Sequence, residues 1–512
     1  MFNNENFPYV GTLSIKPTEK TYQDVYPVLC KKGEDKIILP TILRQGEEIV
    51  LDFKEEYVGD VHFLAQAENS DLTAIYGEAL EEVYSTKAQN SNDWYTIPVD
   101  SLQIKANLFH YKSSGRRAFR YLRLICASGT AEVQEVKVVA EHCKITNEET
   151  FVSNDEELLK IWDICKRTTL LCMQDFLEDG VKRDGCLWVS DARLQAICDY
   201  ALFKQTEIVK KSLLLFAESQ SKEGIVYANA IIAGGHQHPD RIRYMFDYVQ
   251  NPNYQGEPEF YEGCGLLHYV QYGVDFINMA WEYYEASEDK ETLKVLLPFL
   301  RKDLAYLESL KTEDIIPKLL PAPMQATKVR ANVDQGGLLS TYYACFVYAL
   351  KNYIRIIQLF NEQEEAQRVD QEVETYTKIV RGYFAKGTII DKDKMGAIMH
   401  PVSALSMAFL AGILSKDEYI RVLNNIRGKE SYIVDGYWIY WKIRAKFEAG
   451  LIDEAIADMK EYWGTMLKYG ATTCWEQFDR ENMYILEDFV ISRCHGWSAG
   501  AADLLKRYVE KK

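Results

Sequence analysis

The first part of the chain carries short apolar or alternating segments that are typical of β-strands. They are interrupted by Pro and Gly and separated by polar clusters such as NSND and KSSGRR. The segments read KIILPTILRQGEEIVLDF, GDVHFLAQA, DLTAIYGEAL, AFRYLRLICA and AEVQEVKVVA. Several short strands with turn clusters between them predict an antiparallel β-sandwich. We therefore expect a β-sandwich domain over residues 1–146.

The pattern changes to a helical period at TNEETFVSNDEELLKIW, where Ser153 followed by Glu156 fits a capping box. The next apolar positions recur at helical spacing: Leu158, Ile161, Trp162, Cys165 and Cys172. About twelve helical segments follow, near 155–174, 191–203, 206–220, 265–286, 291–311, 337–360, 364–385, 401–413, 416–427, 437–449, 452–468 and 497–510.

Twelve helices in one domain can form either an irregular bundle or six hairpins in a ring. Strongly apolar segments such as LLSTYYACFVYAL alternate with amphipathic ones such as NEQEEAQRVDQEVETYTKIV. This alternation favours an (α/α)6 barrel with apolar inner helices and half-charged outer helices. The prediction is a mainly α protein whose barrel domain spans 147–512, with loops that converge on a central pocket.

Composition and charge exclude several classes of protein. The 512 residues are 47% hydrophobic and 26% charged, as in globular proteins. A net charge of -17 argues against a nucleic-acid partner. No apolar run reaches membrane-spanning length, and MFNNENFPYV lacks the features of a signal peptide. Eleven scattered cysteines without a CxxC pair indicate reduced, buried thiols. We expect a cytoplasmic protein without a membrane partner.

Acidic residues concentrate in EDGVKRDGCLWVSDARL, residues 178–194, between two predicted helices. The residues with the side chains of interest are Asp179, Arg183, Asp184, Trp188 and Asp191. By composition alone, such aspartates are more often turn or capping residues. Asp179 precedes Gly180 as in many turns, and Asp191 suits a helix N-cap. The alternative is a sugar site in which carboxylates and an arginine bind hydroxyls and the tryptophan covers an apolar sugar face.

A second acidic candidate, Glu476, lies in GATTCWEQFD, and His495 follows it in SRCHGWSAG. Hydrolysis of a glycoside with inversion needs two carboxyl groups. One is protonated and donates to the leaving oxygen, and the other is ionised and activates water. The two lie about 6.5–9.5 Å apart, which leaves room for that water. Burial and neighbouring carboxylates raise the pKa of the acid.

Together, the two segments resemble the family 78 glycoside hydrolases, the inverting α-L-rhamnosidases. The acid motif of that family, approximately Asp-x-Pro-x-Arg-(Glu or Asp)-x-x-x-Trp-x-Gly-Asp, corresponds to DGVKRDGCLWVSD. Its base motif, approximately Gly-Ala-Thr-Thr-x-Trp-Glu, matches GATTCWE completely. VLDFKEEYVGDVHF, AIYGEAL and RRAFRYLRL resemble its β-sandwich, and AWEYYEASEDKETLKVLLPFL and EAIADMKEYWGTMLKYG resemble its barrel helices. The resemblance extends over nearly the whole chain.

This resemblance implies an exo-acting glycosidase that removes terminal α-L-rhamnose from small glycosides with inversion. Asp184 stands at the position of the general acid and Glu476 at that of the general base. The residues at sugar-binding positions are Asp179, Arg183, Trp188, Asp191 and His495. No cofactor and no metal are expected.

Some positions depart from the family pattern. Asp184 stands where Glu is common, so its carboxyl is one methylene shorter. Val181 replaces the usual Pro, Ser190 replaces a usual Gly, and NVDQG at 332–336 replaces a common Asp-Trp pair. Two alternatives stay open: the same machinery acting on another deoxyhexose or pentose glycoside, and a non-catalytic sugar-binding homologue. The sandwich and the lack of a β-domain after the last helix are compatible with a homodimer.

Residues 224–264 form a long connection with low periodicity and several aromatic residues. Connections of this length are usually functional or disordered. We expect it either to fold over the barrel mouth and shape the aglycone side, or to pack as a surface loop. His236 and His238 form a His-x-His pair, but two histidines without a third ligand do not predict a metal site.

Overall fold

A ten-stranded sheet forms the first part of the molecule, and helices make up most of the rest. The computed structural model describes residues 17–67, 69–85, 99–105, 108–113, 115–182, 185–221, 223–230, 269–315, 338–384, 387–392, 398–430, 433–478 and 491–510.

All five predicted segments lie in strands of the sheet, although the strands at 20–25, 29–32, 99–104 and 109–112 were not predicted. In its described part the sheet has ten strands. They are β1 Lys20–Val25, β2 Leu29–Lys32, β3 Asp35–Ile37, β4 Thr41–Arg44, β5 Glu48–Gln66, β6 Ser70–Gly77, β7 Val99–Ile104, β8 Phe109–Lys112, β9 Arg117–Ser128 and β10 Thr130–Cys143. The main path is β1-β10-β5-β9-β6-β7. In addition, β2 and β8 pair with β5, β3 pairs with β2, and β4 pairs with β10. Leu51, Phe63, Leu122 and Val136 are among the side chains of its buried core. The end of DLTAIYGEAL differs from the prediction, because Leu80–Tyr84 forms a short helix, α1.

Strand β5 is interrupted by an irregularity that bears on the site. Its register with β9 shifts between Asp52 and Tyr57, and Lys54 has a φ of 72°. The carboxylate of Asp52 accepts a hydrogen bond from the main-chain N–H of Lys54 at 2.7 Å, which stabilises this turn of the backbone. Bulges of this kind redirect side chains. Glu56, within the irregular stretch, is buried.

The helical part confirms the predicted helices to within a few residues, except near 265, where residues 265–268 lie outside the described part of the chain. The helices are α2 Glu156–Cys172, α3 Val189–Leu202, α4 Thr206–Glu218, α5 Val270–Ser287, α6 Lys290–Ser309, α7 Thr312–Ile315, α8 Leu339–Gln358, α9 Gln363–Tyr383, α10 Val402–Leu410, α11 Lys416–Ile426, α12 Gly436–Glu448, α13 Ile452–Met459, α14 Thr465–Lys468 and α15 Ala501–Leu504. A π-helical turn, Lys460–Gly464, joins α13 to α14, and another, Leu505–Val509, continues α15.

The predicted capping box at Ser153 is wrong. Helix α2 begins at Glu156, and its N-cap is Asp155, whose carboxylate accepts hydrogen bonds from the main-chain N–H groups of Glu157 and Leu158. Ser153 instead accepts from the N–H of Asp155 at 3.1 Å. A carboxylate is as good an N-cap as a serine hydroxyl, so the residue nearer the helix takes the role.

Six helical elements contact one another in a closed circuit. Helix α3 packs against α5, α5 against α8, α8 against α10, and α10 against α12; α12 packs against the 3-10 turn Gly496–Ala499, which packs against α3. The members of this circuit are mostly buried, as in α3 and α10. By contrast, α9 buries only the stripe Ala366, Val369, Val373 and Val380. This difference confirms the predicted alternation of apolar and amphipathic helices.

Two further features concern cysteines and membranes. All ten cysteines in the described ranges are buried and none of them forms a disulfide there, which agrees with the expectation of buried thiols. Within the same ranges, none of the helices combines the length and the apolar character that crossing a membrane requires.

Candidate active site

Two stretches carry the predicted site residues. We call residues 178–188 the aspartate loop and residues 474–478 the glutamate segment. The structure describes Asp179, Trp188, Asp191, Glu476 and His495. Arg183 and Asp184 lie outside the described residues, as do His236, His238, the 332–336 segment and most of the 224–264 connection.

Asp179 closes the aspartate loop on itself. Its main-chain N–H donates to the carbonyl of Cys186 at 3.0 Å, and its Oδ1 accepts from the N–H of Cys186 at 2.9 Å. The N–H of Gly185 donates to the carbonyl of Gly180, and Gly185 has a φ of 58°, which suits glycine. Asp179 is only 2% exposed. The turn predicted at Asp179 and Gly180 is thus present, and it is buried.

The end of the aspartate loop leads directly into helix α3. Leu187 and Trp188 pair with Asn229 and Ala230 in a two-stranded ladder, and α3 then begins at Val189. The suggested N-cap role of Asp191 is wrong, because Trp188 occupies the N-cap position. Asp191 lies in the first helical turn, where the positive end of the helix dipole favours a carboxylate.

His495 brings the two stretches together. Its Nε2 is 3.9 Å from Oδ2 of Asp179, and its Nδ1 is 3.8 Å from Oδ1 of Asp191. All three side chains are nearly inaccessible to solvent. The next residue, Gly496, donates its N–H to the carbonyl of Asp179 at 2.7 Å. A Cβ at Gly496 would lie 2.2 Å from the side chain of Gln195 in α3, so the close approach of these segments requires glycine.

Glu476 lies beside His495 on a paired stretch of backbone. The N–H of Glu476 donates to the carbonyl of Ser492 at 2.9 Å, and the N–H of His495 donates to the carbonyl of Cys474 at 2.9 Å. The Glu476 carboxylate accepts the N–H of Ser492 at 3.0 Å through Oε2. The indole N–H of Trp497 donates to the carbonyl of Glu476 at 2.9 Å. The carboxylate is thus buried and oriented by the backbone of the segment that carries His495.

Aromatic rings surround this group of polar residues. Trp188 is half-buried and lies with its ring 6.2 Å from that of Tyr272. Its indole nitrogen is buried and has no hydrogen-bond partner among the residues that the structure describes. On the other side, the ring of Trp497 lies 4.7 Å from that of His495 and 6.5 Å from that of Tyr437. Rings with polar edges suit a ligand that has both an apolar face and hydroxyl groups.

A buried polar network fixes the start of helix α3, and sequence reasoning missed it. Asp275 of α5 is fully buried, and its carboxylate accepts hydrogen bonds from four side chains: Nη1 of Arg193 at 2.7 Å, the Ser190 hydroxyl at 2.6 Å, the Tyr437 hydroxyl at 2.9 Å and Nε2 of Gln271 at 3.3 Å. Arg193 also binds Glu282 at 2.7 Å. The only signal in the sequence was the run of polar residues inside an otherwise apolar helix. Ser190, noted as a departure from the family pattern, thus has a partner.

Arg116, which comes just before β9, reaches into the other end of the aspartate loop. Its guanidinium binds both carboxylate oxygens of Glu178, at 2.9 and 2.6 Å. Burial raises the pKa of Glu178, and the charge of Arg116 acts in the opposite direction. Gln195 of α3 also donates to the carbonyl of Glu178 at 2.8 Å. The residue before Asp179 is therefore fixed by the sheet and by α3 together.

Comparisons with known proteins agree with this description. Residues 146–509 match the model of the bacterial alpha-L-rhamnosidase 6 hairpin glycosidase domain. None of the curated proteins matches the chain.

Several solved structures share the fold. A rhamnosidase from Klebsiella oxytoca with rhamnose bound aligns at a TM-score of 0.77 and 21% identity, over 96% of this chain and 97% of that one. A GH78 family rhamnosidase of Bacillus sp. GL1 gives 0.71 and 20%, over 92% of this chain but 46% of that one. An alpha-L-rhamnosidase from Dictyoglomus thermophilum gives 0.72 and 15%, over 96% and 52%. At these identities the likeness shows the fold alone, and the chain spans about half the length of the last two.

Proposed function

The chain belongs to the bacterial α-L-rhamnosidase six-hairpin glycosidase family, and we propose that it removes terminal α-L-rhamnose from small glycosides with inversion at the anomeric carbon. In this proposal Asp184 protonates the leaving oxygen and Glu476 activates water from the opposite face of the sugar.

The observation that carries the proposal is the position of His495. It lies within 4 Å of Asp179 and of Asp191, while its own backbone is paired with the glutamate segment. Asp179 and His495, which are 316 positions apart in sequence, are thereby within 4 Å of each other. Asp184 is five positions after Asp179 in the same loop.

The environment of Glu476 supports the role of general base. A base must be ionised, and an ionised carboxylate only accepts hydrogen bonds. The N–H of Ser492 donates to Oε2 of Glu476, which suits the ionised form.

The remaining motif residues are proposed to hold the sugar. Charged groups bind hydroxyls with strong hydrogen bonds, which suits Asp179, Arg183, Asp191 and His495. Trp188 would cover the apolar face of the ring, and its buried N–H, which has no partner within the described ranges, would donate to a hydroxyl.

The architecture around the site is part of the proposal. We propose that the closed circuit of α3, α5, α8, α10, α12 and the turn Gly496–Ala499 is the inner ring of an (α/α)6 barrel. In this reading the β-sandwich domain spans 1–146 and the barrel domain spans 147–512.

The test is kinetic and uses single isosteric substitutions. With phenyl α-L-rhamnoside, Asp184→Asn and Glu476→Gln should each lower kcat/KM by about 10²–10⁴-fold, the usual contribution of a general acid or base. The matched control is Glu364→Gln, on an exposed face of α9, which should retain wild-type activity. Full activity in both variants would disprove the assignment. Phenyl glycosides of other deoxyhexoses and of pentoses identify the sugar, and binding of rhamnose without turnover of any glycoside would indicate a sugar-binding protein.

A further inference from the structure

Three glutamates are buried where the β part, which comprises the ten-stranded sheet and helix α1, meets the helices that follow it. Glu56 lies in the irregular stretch of β5, Glu78 follows β6, and Glu82 lies in α1. Their exposed fractions are 2%, 5% and 1%. Buried carboxylates are rare unless they are paired, so their partners indicate what the cluster does.

The first partner is Lys182 of the aspartate loop. Its Nζ is 2.7 Å from Oε2 of Glu78 and 2.8 Å from Oε1 of Glu82, and its side chain is 7% exposed. Asp184 is two residues further along the chain. The lysine therefore ties the middle of the aspartate loop to the β part.

The second partner is the segment 491–495, whose backbone forms hydrogen bonds with the glutamate segment. The Ser492 hydroxyl donates to Oε1 of Glu78 at 3.1 Å, and the N–H of Arg493 donates to Oε2 of Glu78 at 2.7 Å. The N–H of the same Ser492 donates to the carboxylate of Glu476 at 3.0 Å. Ser492 thus stands between Glu78 and Glu476 and binds both.

Glu56 completes the cluster on the side of the glutamate segment. Its Oε2 accepts a hydrogen bond from the Thr473 hydroxyl at 3.5 Å. Burial raises the pKa of Glu56, and the neighbouring charge of Glu78 raises it further. Lys182 binds the other two carboxylates of the cluster, Glu78 and Glu82, and the charge of Arg493 also acts on Glu82.

We propose that Glu78 is a positioning residue that fixes both halves of the site, through Lys182 on the side of Asp184 and through Ser492 on the side of Glu476. Its catalytic consequence rests on the proposed function; its effect on the two segments does not. Glu82 is the natural comparison, because its carboxylate binds Lys182 and the main-chain N–H of Glu78 but makes no hydrogen bond to Ser492 within the described part of the chain.

The experiment compares Glu78→Gln, Glu82→Gln and a control, Glu81→Gln. Glu81 is exposed and lies in α1 next to Glu82. Hydrogen exchange is measured by mass spectrometry on peptides covering 178–188 and 491–496. Glu78→Gln should raise exchange in both peptides, Glu82→Gln only in 178–188, and Glu81→Gln in neither.

Kinetics on phenyl α-L-rhamnoside give the second readout. A displacement of about 1 Å in a catalytic group lowers rates by about 100-fold, so Glu78→Gln should lower kcat by about 10-fold to 100-fold with little change in KM. It should also move the acidic limb of the pH profile, which reports Glu476, whereas Glu82→Gln should leave that limb in place. A purely structural role would not move the limb.

The outcomes separate the two proposals. Unchanged exchange in both peptides of a folded Glu78→Gln protein would overturn the positioning role, as would equal effects of Glu78→Gln and Glu82→Gln on 491–496. Raised exchange together with a wild-type protein that cleaves no glycoside would refute the proposed function alone. If Glu78→Gln does not fold, Ser492→Ala removes one contact and should raise exchange in 491–496 only; no change there would equally contradict the proposal.

Discussion

The glutamate segment is held mainly through its own backbone, whereas the aspartate loop is held by buried ion pairs with the β part. In the first, main-chain groups of Cys474, Glu476 and Phe478 bond to neighbouring chain segments, and the N–H of Cys474 also donates to the Thr168 hydroxyl at 2.7 Å. In the second, Arg116 binds Glu178, and Lys182 binds Glu78 and Glu82.

The difference has energetic consequences. A neutral hydrogen bond contributes about 1 kcal/mol and does not depend on pH. Removal of one partner from a buried ion pair costs about 3–5 kcal/mol, because the other charge is left unpaired. We therefore expect the aspartate loop to be the more sensitive of the two to single substitutions.

The largest expected effect distinguishes the proposed acid from the proposed base by how the activity of each variant depends on the leaving group. A 4-nitrophenol departs without protonation, so Asp184→Asn should lose far less activity on 4-nitrophenyl than on phenyl α-L-rhamnoside, by at least about 10-fold. Glu476→Gln should lose about equally on both, since water still needs a base. Steady-state kcat/KM on the two substrates checks this. Equal sensitivity of both variants to the phenol would contradict the division of roles.

The next effect concerns stability. Arg116→Met should lower the free energy of unfolding by about 3–5 kcal/mol, because it leaves the buried carboxylate of Glu178 unpaired. Thr168→Val, which removes the hydroxyl acceptor of Cys474, should cost about 1–3 kcal/mol. Urea titration of both variants gives the comparison. The double variant Arg116→Met with Glu178→Gln should recover part of the loss.

If Arg116→Met is no more destabilising than Thr168→Val, the distinction between a loop held by ion pairs and a segment held by main-chain hydrogen bonds is wrong.

The smallest effect concerns pH. Because the pKa of folded Glu56 is raised above its ordinary value of 4.5, its contribution to stability is fully present at lower pH and is lost as pH rises through the folded pKa. Glu56→Gln resembles the protonated form and does not titrate. Its melting temperature relative to wild type should therefore increase between pH 4 and pH 9. The exposed control Glu34→Gln should show no such trend, and a difference independent of pH would count against the raised pKa of Glu56.

Much of this fold was accessible from sequence, because strands and helices follow local periodicity. The helix bounds and the motif residues Asp179, Trp188, Asp191, Glu476 and His495 required only local patterns and a family resemblance. The capping error arose because SNDEE offers two acceptable caps, Ser153 and Asp155, and only the backbone path chooses between them.

The contacts that sequence did not predict are those between distant residues. Glu78 and Lys182 are 104 positions apart, and Asp275 and Arg193 are 82 apart, without any local pattern that links them. Such pairs depend on how the β part and the helices meet, which periodicity does not encode. Arg183 and Asp184 stay predictions from the motif, as do the sugar and the mode of cleavage.

The central claim is that one site, built from the aspartate loop and the glutamate segment, cleaves an α-L-rhamnoside with inversion. The most direct measurement is a proton NMR time course of wild-type protein with phenyl α-L-rhamnoside, in which the anomeric signals of the released sugar are followed from the first minutes. The account predicts that β-L-rhamnose appears first and α-L-rhamnose only later by mutarotation. Initial release of the α-anomer would contradict inversion, and the absence of released rhamnose would contradict the proposed function.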